Sequence, residues 1–394
     1  MRPAARLQAA IELLDEIIVA ARDNGPAADS LARKFFANRR YAGSKDRRAV
    51  REHVWDAIRR FGERPQDGRS VFAAMATDDA ELTALFDGSD YGPAVLIKDE
   101  AKASGGKLPE WILPILNSAI DGGEQAALLE RAPLDIRINT LKSDAAEVRE
   151  TLPEASILDA SKYAFRLPTG FAVDNHALAN EGKIAIQDLG SQLIAKSCHA
   201  RPGMTVLDLC AGAGGKTLAL ASDMKGQGRL IASDINRNRL DQLGPRARRA
   251  GASEIVESLL LNPGKELGAL GYLAGSCDIV LVDAPCSGSG TWRRNPETRW
   301  RLTPKRLDHL VEAQSRLLDI AAQQVKPGGV IVYAVCSLID KEGRAQVADF
   351  LARNDGWQAD PIELTVGRQQ SGGIMLTPAH DGTDGFFFAR LQKL

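Results

Sequence analysis

The chain has 394 residues, of which 44% are hydrophobic and 26% charged, and a formal net charge of −1. This is the profile of a soluble globular protein long enough for two or three domains. Five cysteines with no CxxC pair exclude a disulfide framework and offer no metal-ligand spacing, so a reducing cytoplasm is the expected compartment. No apolar run reaches the ~18 residues of a membrane span, and Arg2 and Arg6 precede an acidic amphipathic helix rather than a signal core.

The balanced total hides a gradient. Residues 1–70 carry 15 Lys and Arg against 10 Asp and Glu, a basic face suited to a phosphate backbone. Leu7, Ile11, Leu14 and Ile18 recur at helical spacing and predict a first helix from Ala5 to Ala21. A second follows over 29–37. A third spans 46–61, with Ser44 as its expected N-cap. The cations between Arg33 and Arg51 are read either as RNA contacts or as a solvated helix face. Helical pieces continue to about residue 129, interrupted by Gly92-Pro93 and Ser104-Gly105-Gly106.

The class changes near residue 132. Leu134–Leu141 alternates, with Ile136 and Ile138 on one side and Arg137 and Asn139 on the other; 145–152 reads as a helix, and 163–167 and 185–188 as short strands. From about Gln187 strands alternate with helices: strands at 205–209, 230–234, 255–261, 278–283 and 329–335, helices at 217–224, 237–250 and 304–325. This is the pattern of a doubly wound parallel sheet, and 385–391 reads as one more strand. The expected organisation is therefore an all-helical domain (1–131), a small α+β segment (132–186) and an α/β Rossmann-like domain (187–394).

After the first strand of the last domain comes Asp208-Leu209-Cys210-Ala211-Gly212-Ala213-Gly214-Gly215-Lys216-Thr217. A phosphate-binding P-loop requires glycine where Cys210 stands, and a dinucleotide fingerprint requires glycine at Thr217. What remains is a glycine-rich turn feeding a helix N-terminus, where backbone N–H groups favour a carboxylate. Asp234 ends the second strand, where an acid accepts from both hydroxyls of a ribose. A loop of this kind followed by such an acid is the arrangement that holds S-adenosylmethionine; the competing readings are a plain tight turn and a helix-cap acid.

Two cysteines close apolar runs, Val280–Cys286 and Gly329–Cys336. Continuous apolar runs are buried strands, so both thiols stand where an open sheet presents its ligands. Cysteine is the strongest side-chain nucleophile near neutral pH. Cys198 and Cys277 lack such a setting and read as core residues. The stretch from Arg293 to Arg301, with Trp300, reads as a single-strand RNA contact or a solvated loop.

Asp283-Ala284-Pro285-Cys286-Ser287-Gly288-Ser289-Gly290, Tyr333-Ala334-Val335-Cys336-Ser337, the glycine loop and Arg137-Ile138-Asn139-Thr140-Leu141-Lys142 occur in one order. Together they resemble the RsmB/Nop2/Sun family of RNA 5-methylcytosine methyltransferases. The resemblance covers roughly residues 132–394. The N-terminal helices, with Gly43-Ser44-Lys45-Asp46-Arg47, resemble the NusB-like RNA-binding domain that precedes the catalytic part in RsmB. Two departures stand out: Gly212-Ala213 replaces Ala-Pro in the loop, and Val335 replaces Thr before the second cysteine.

The resemblance implies an S-adenosylmethionine-dependent RNA cytosine-C5 methyltransferase acting on ribosomal RNA, with transfer RNA as the alternative substrate and a non-catalytic RNA-binding assembly factor as the alternative class. It implies Cys336 as the nucleophile that adds to cytosine C6, Cys286 as the residue aiding release, and Asp283 as the group bonding N3 and the exocyclic amine. The cofactor set is Cys210, Ala211, Gly212, Ala213, Gly214, Gly215, Lys216, Asp234, Asn262 and Asp283. No membrane or metal partner is expected, and a monomer is the default. The residues name no partner that activates the Cys336 thiol.

Overall fold

The computed structural model describes residues 1–394, which pack as two compact units. Residues 1–118 and 291–304 form a helical unit; residues 119–290 and 305–394 form a catalytic unit. No helix is long and apolar enough to cross a membrane.

The helical unit contains helices Pro3–Arg22, Ala28–Ala37, Ser44–Arg60, Gly68–Met75 and Ala80–Ala84. Leu7, Leu13, Leu14, Phe35, Val50, Val54 and Phe72 are fully or almost fully buried and build its core. The third helix begins one residue earlier than a Ser44 cap would allow. Ser44 is its first residue, Gly43 is the cap, and the Asp46 carboxylate accepts from the Gly43 N–H at 3.3 Å. An acid in the first turn thus reaches back to the N–H of a glycine cap, the half of a capping box that needs no side chain on the cap residue.

Residues 291–304 lie in the helical unit, not with the rest of the chain that flanks them. Trp300 is 3% exposed and joins the helical core, and its indole N–H donates to the Phe61 carbonyl at 2.9 Å. Arg299 is 1% exposed and donates to the carbonyls of Ile58 at 2.7 Å and Lys107. Burial pulls its pKa down to about 9. Glu297 accepts from the Ala28 N–H at 3.2 Å. The stretch that reads as an RNA contact or a solvated loop is neither at Arg299 and Trp300: they clamp the helices by capping backbone carbonyls. Trp300→Ala is expected to destabilise this unit by about 3–5 kcal/mol, the usual cost of emptying a buried aromatic site. A melting temperature within 2 °C of wild type, measured by circular dichroism, would contradict it.

The helical unit also ends earlier than residue 131. Residues 119–131 pack with the catalytic unit because Glu124, 2% exposed, is held there. It accepts from Arg368 at 2.9 Å, the Thr377 hydroxyl at 2.5 Å and the backbone N–H groups of Ala379 and His380.

The catalytic unit begins with a four-stranded antiparallel sheet. Its strands are β1 (Leu134–Ile138), β2 (Ser156–Leu158), β3 (Ser161–Leu167) and β4 (Ile184–Ile186), in the order β2-β3-β1-β4. The alternation in β1 does not separate a core face from a wet one. Ile136 and Ile138 are buried, and so are Asp135 and Arg137. Arg166 clasps Asp135 through two bonds, at 2.7 and 3.1 Å. Arg137 donates to Gln187 at 2.7 Å and Ser222 at 3.3 Å. Buried charge persists here because each group is hydrogen-bonded.

The main sheet has nine strands: β5 (Thr205–Asp208), β6 (Arg229–Asp234), β7 (Val256–Leu260), β8 (Cys277–Asp283), β9 (Val325–Val335), β10 (Trp357–Asp360), β11 (Arg368–Gln370), β12 (Gly373–Leu376) and β13 (Phe386–Lys393). The order is β11-β12-β13-β9-β8-β5-β6-β7, with β10 also on β13. Strands β5 to β9 pair in parallel, and β13 runs antiparallel to β9. This is a Rossmann-like α/β sheet. The sequence predicts one helix over 237–250; the structure has two, Arg237–Leu240 and Leu243–Ala250. Pro245 has no N–H to donate and fits only in a first turn, so a new helix starts just before it.

Candidate active site

The sheet reverses its order between β5 and β8, and open α/β sheets bind ligands outside the strand ends at such a point. Asp208 ends β5, Asp234 ends β6, Asp283 ends β8, and Cys336 follows β9. The register aligns Asp283 with Ala334, and the Ala284 N–H donates to the Ala334 carbonyl at 2.8 Å. The two cysteine loops therefore leave adjacent strands side by side.

The thiols meet. Cys286 Sγ and Cys336 Sγ lie 3.3 Å apart, both half-buried. The Gly290 N–H donates to the Cys336 carbonyl at 3.0 Å, and its own carbonyl accepts from Gly385 at 2.8 Å. Glycine is required there: a Cβ on Gly290 would stand 1.9 Å from the Gly385 carbonyl oxygen. The bond to Cys336, then burial, raises Cys286 well above the ordinary thiol range, so it stays protonated. Cys198 and Cys277 are fully buried. Burial raises both, Cys277 to about 11, and they are core residues, as their sequence setting suggests.

Lys216 is the residue whose role the sequence leaves open. Its Nζ donates to Asp283 Oδ2 at 2.7 Å, with side-chain exposures of 10% and 31%. Burial works against its charge, but Asp283, and then Cys336 and Asp208, hold it above the ordinary lysine range. The loop lysine is thus a fixed cation within electrostatic reach of Cys336. Nothing in the spacing of 216, 283 and 336 announces this; only the adjacency of β5, β8 and β9 brings them together.

The glycine loop sits on β5 and β6. The Ala211 N–H donates to the Ser233 carbonyl at 2.9 Å, the Gly212 N–H to Asp234 Oδ2 at 2.7 Å, and the Asn236 N–H to Asp234 Oδ1 at 2.7 Å. Arg246 donates to the Ala213 carbonyl at 2.7 Å. Gly214 has φ +84°, and a Cβ there would meet Leu243 Cδ1 at 2.2 Å. Helix Gly215–Asp223 starts at once. Asn262 is exposed just past β7, next to Leu261, whose N–H donates to the Asp234 carbonyl at 2.9 Å. Cys210 is half-buried behind the loop, and burial raises it well above the ordinary thiol range.

Two observations show that these residues fit S-adenosylmethionine. A Cβ built on Gly215 meets no atom within 4 Å, so open space lies before the helix N-terminus. Beneath the loop, Asp208 accepts the Thr217 hydroxyl on Oδ2 at 2.7 Å, but its buried Oδ1 has no partner. An ammonium group would satisfy that oxygen, and the helix N-terminus would favour the carboxylate beside it. Asp234 uses one lone pair of each oxygen, and the others would accept from ribose hydroxyls.

Asp208 also predicts a pH dependence. Burial pushes its carboxyl up to about 7 from 3.8, with Asp283 and Asp234 adding to the rise and Thr217 opposing it. Over roughly pH 4–7 the folded chain therefore holds a proton that the unfolded chain releases. This contribution to stability is full below about pH 4 and is lost as pH rises through 7. The ligand-free melting temperature is expected to fall from pH 5 to pH 8, and Asp208→Asn to flatten that fall. Parallel profiles for the two proteins would disprove the assignment.

Residues 196–392 match the family model described as 16S rRNA methyltransferase RsmB/F. Over 318 residues the chain is 33% identical to a Synechocystis sp. protein named "Probable ribosomal RNA small subunit methyltransferase B", covering 75% of this chain and 70% of that one. Among solved structures, PH0851 superposes with a TM-score of 0.80 at 23% identity, covering 98% of this chain and 99% of that one, a likeness of fold. A methyltransferase homolog protein from Pyrococcus horikoshii gives a TM-score of 0.61 at 26% identity, covering 71% and 92%. The chain belongs to the RsmB/F family and is an S-adenosylmethionine-dependent RNA methyltransferase.

Proposed function

We propose that this enzyme methylates C5 of a cytosine in small-subunit ribosomal RNA through a covalent Cys336 adduct. The observation that carries the reading is the thiol pair at 3.3 Å, flanked by the Lys216–Asp283 ion pair at 2.7 Å. Cytosine C5 is a poor nucleophile until a thiolate adds at C6 and turns the ring into an enamine. Cys336 supplies that sulfur nucleophile. Asp283 has one oxygen on Lys216 and a side chain open enough to accept from the exocyclic amine. Lys216 then lies where negative charge builds on the ring. S-adenosylmethionine supplies the electrophilic methyl group that C5 takes. Solvent water takes the C5 proton, the C6–S bond breaks, and Cys336 leaves as the thiolate while the Cys286 thiol donates a hydrogen bond to the departing sulfur. The base must leave its stack to reach these groups.

The ribosomal substrate is supported by the relative named for small-subunit ribosomal RNA. The helical unit is the proposed RNA platform, NusB-like in its sequence motif. Several of its cations are spent internally: Arg39 pairs with Glu12 at 2.8 Å over the Phe35 ring, and Arg51 pairs with Asp29 at 2.6 Å. Arg33, Arg40, Lys45 and Arg48 are exposed and are the proposed phosphate contacts. The enzyme is read as a cytoplasmic monomer.

The test is transfer from methyl-labelled S-adenosylmethionine to small-subunit ribosomal RNA and to transfer RNA, both from cells lacking the enzyme, followed by nucleoside analysis. Label in 5-methylcytidine of ribosomal RNA is expected. Label only in transfer RNA would overturn the substrate, and label in another nucleoside would overturn the chemistry. Cofactor binding without any transfer would favour the assembly-factor reading.

A further inference from the structure

Glu342 is a carboxylate with 0% exposure that the reaction above does not use. Its donors are neutral. Oε1 accepts from the Ser287 N–H at 2.8 Å and from Gln314 Nε2 at 3.0 Å, and Oε2 accepts from the Ser337 hydroxyl at 2.5 Å. Ser287 and Ser337 are the residues directly after Cys286 and Cys336. One carboxylate thus holds the backbone next to one thiol and the side chain next to the other. The surrounding bonds tighten the same joint. Gln314 also donates to the Pro285 carbonyl at 2.9 Å, Ser289 Oγ lies 3.1 Å from Ser337 Oγ and accepts from the Leu338 N–H at 2.9 Å, and the buried Tyr333 hydroxyl donates to the Glu342 carbonyl at 2.6 Å.

A buried carboxylate without a cationic partner is costly, and a core of this size could close the gap with an apolar side chain. The bonds on Glu342 identify what the carboxylate does instead. Two loops that leave different strands have no covalent reason to keep their sulfurs in contact, and thiols themselves hydrogen-bond weakly. We propose that Glu342 is a positioning residue that holds Cys286 and Cys336 in register, so that the thiol required for release faces the sulfur that attacks. The fixed negative charge acts in the same sense, adding to the rise of Cys286 after the larger effects of Cys336 and burial, and so keeping it protonated. The assignment of release and attack rests on the function proposed above; the pairing of the thiols does not.

Phenylarsine oxide tests the pairing directly, because it bridges two thiols held close together and releases water. The full-length wild-type protein is expected to capture it, and Cys286→Ser or Cys336→Ser to lose capture, since Cys286 and Cys336 are the thiol pair held in contact. Glu342→Ala is expected to weaken capture at least tenfold while S-adenosylmethionine affinity stays within twofold. Glu342→Gln keeps an acceptor for Ser287 and is expected to recover most of the loss. In transfer assays Glu342→Ala should lower kcat by about 100-fold, the cost of an ångström-scale misplacement, with KM for RNA within threefold. Undiminished arsenical capture by Glu342→Ala would overturn the proposal. A parallel loss of capture, cofactor affinity and melting temperature that Glu342→Gln does not restore would overturn it too, as that is a general folding defect. Capture requires no RNA, so an enzyme inactive on every RNA would defeat the cytosine reading and leave the Glu342 result standing.

Discussion

Cys336→Ala is expected to abolish methyl transfer, a loss of at least about 10⁴-fold in kcat, as for removal of other enzymic nucleophiles. No second sulfur can take over. Cys286 is in contact at 3.3 Å but is held as the thiol by that contact and by burial. Cys210 is raised by burial and by the surrounding carboxylates. Cys286→Ala should behave differently. Attack and methylation proceed, release stalls, and a protein–RNA complex that survives denaturation accumulates in proportion to added S-adenosylmethionine. Gel shift under denaturing conditions reads both variants. Transfer persisting in Cys336→Ala would end the nucleophile assignment, and failure of Cys286→Ala to accumulate a complex would end the division of labour.

Lys216→Met is expected to lower kcat by about 10²–10³-fold, the range for loss of a fixed charge stabilising a transition state. Lysine here does two things that no neighbour replaces: it holds Asp283 at 2.7 Å and presents a cation toward Cys336. Because Asp283, Cys336 and Asp208 keep Lys216 above the ordinary lysine range, the wild-type ammonium stays charged through neutral pH. The variant is therefore expected to lose rate across neutral pH, where the wild-type cation is present. The fold is expected to survive, since Asp283 has a 31% exposed side chain and can be solvated when its partner is lost. A variant with an unchanged kcat and a raised KM for S-adenosylmethionine would reassign Lys216 to cofactor binding.

Much of this site is legible in the chain because strands that are buried on both faces carry unbroken apolar runs. Those runs mark where β8 and β9 end, and hence where Asp283, Cys286 and Cys336 stand. Cys210–Lys216 and Asp234 are legible for a related reason: a tight turn into a helix needs glycines, and the acid follows at the end of the next strand. What the residues after Cys286 would do was not legible. Arginines beside a tryptophan suit an RNA loop and a buried clamp equally well, and only the backbone carbonyls of Ile58, Phe61 and Lys107 decide that Arg299 and Trp300 are the second. The split at Pro245 and the cap at Gly43 follow from local chemistry and lie within a residue or a turn of the elements that periodicity predicts.

The strand ends, the glycine turn and the two cysteines are written in the chain, because each depends on local periodicity or on a residue type that tolerates few alternatives. The tertiary structure alone decided the partnerships. Lys216 with Asp283, Glu342 with Ser287, Glu124 with Thr377 and Arg368, and one sulfur against the other all join residues from distant parts of the chain or from separate strands. Their spacing in sequence carries no information about their distance in space. Strand order sets that distance, and burial then makes each bond matter, because a polar group removed from water must find its partner inside the fold.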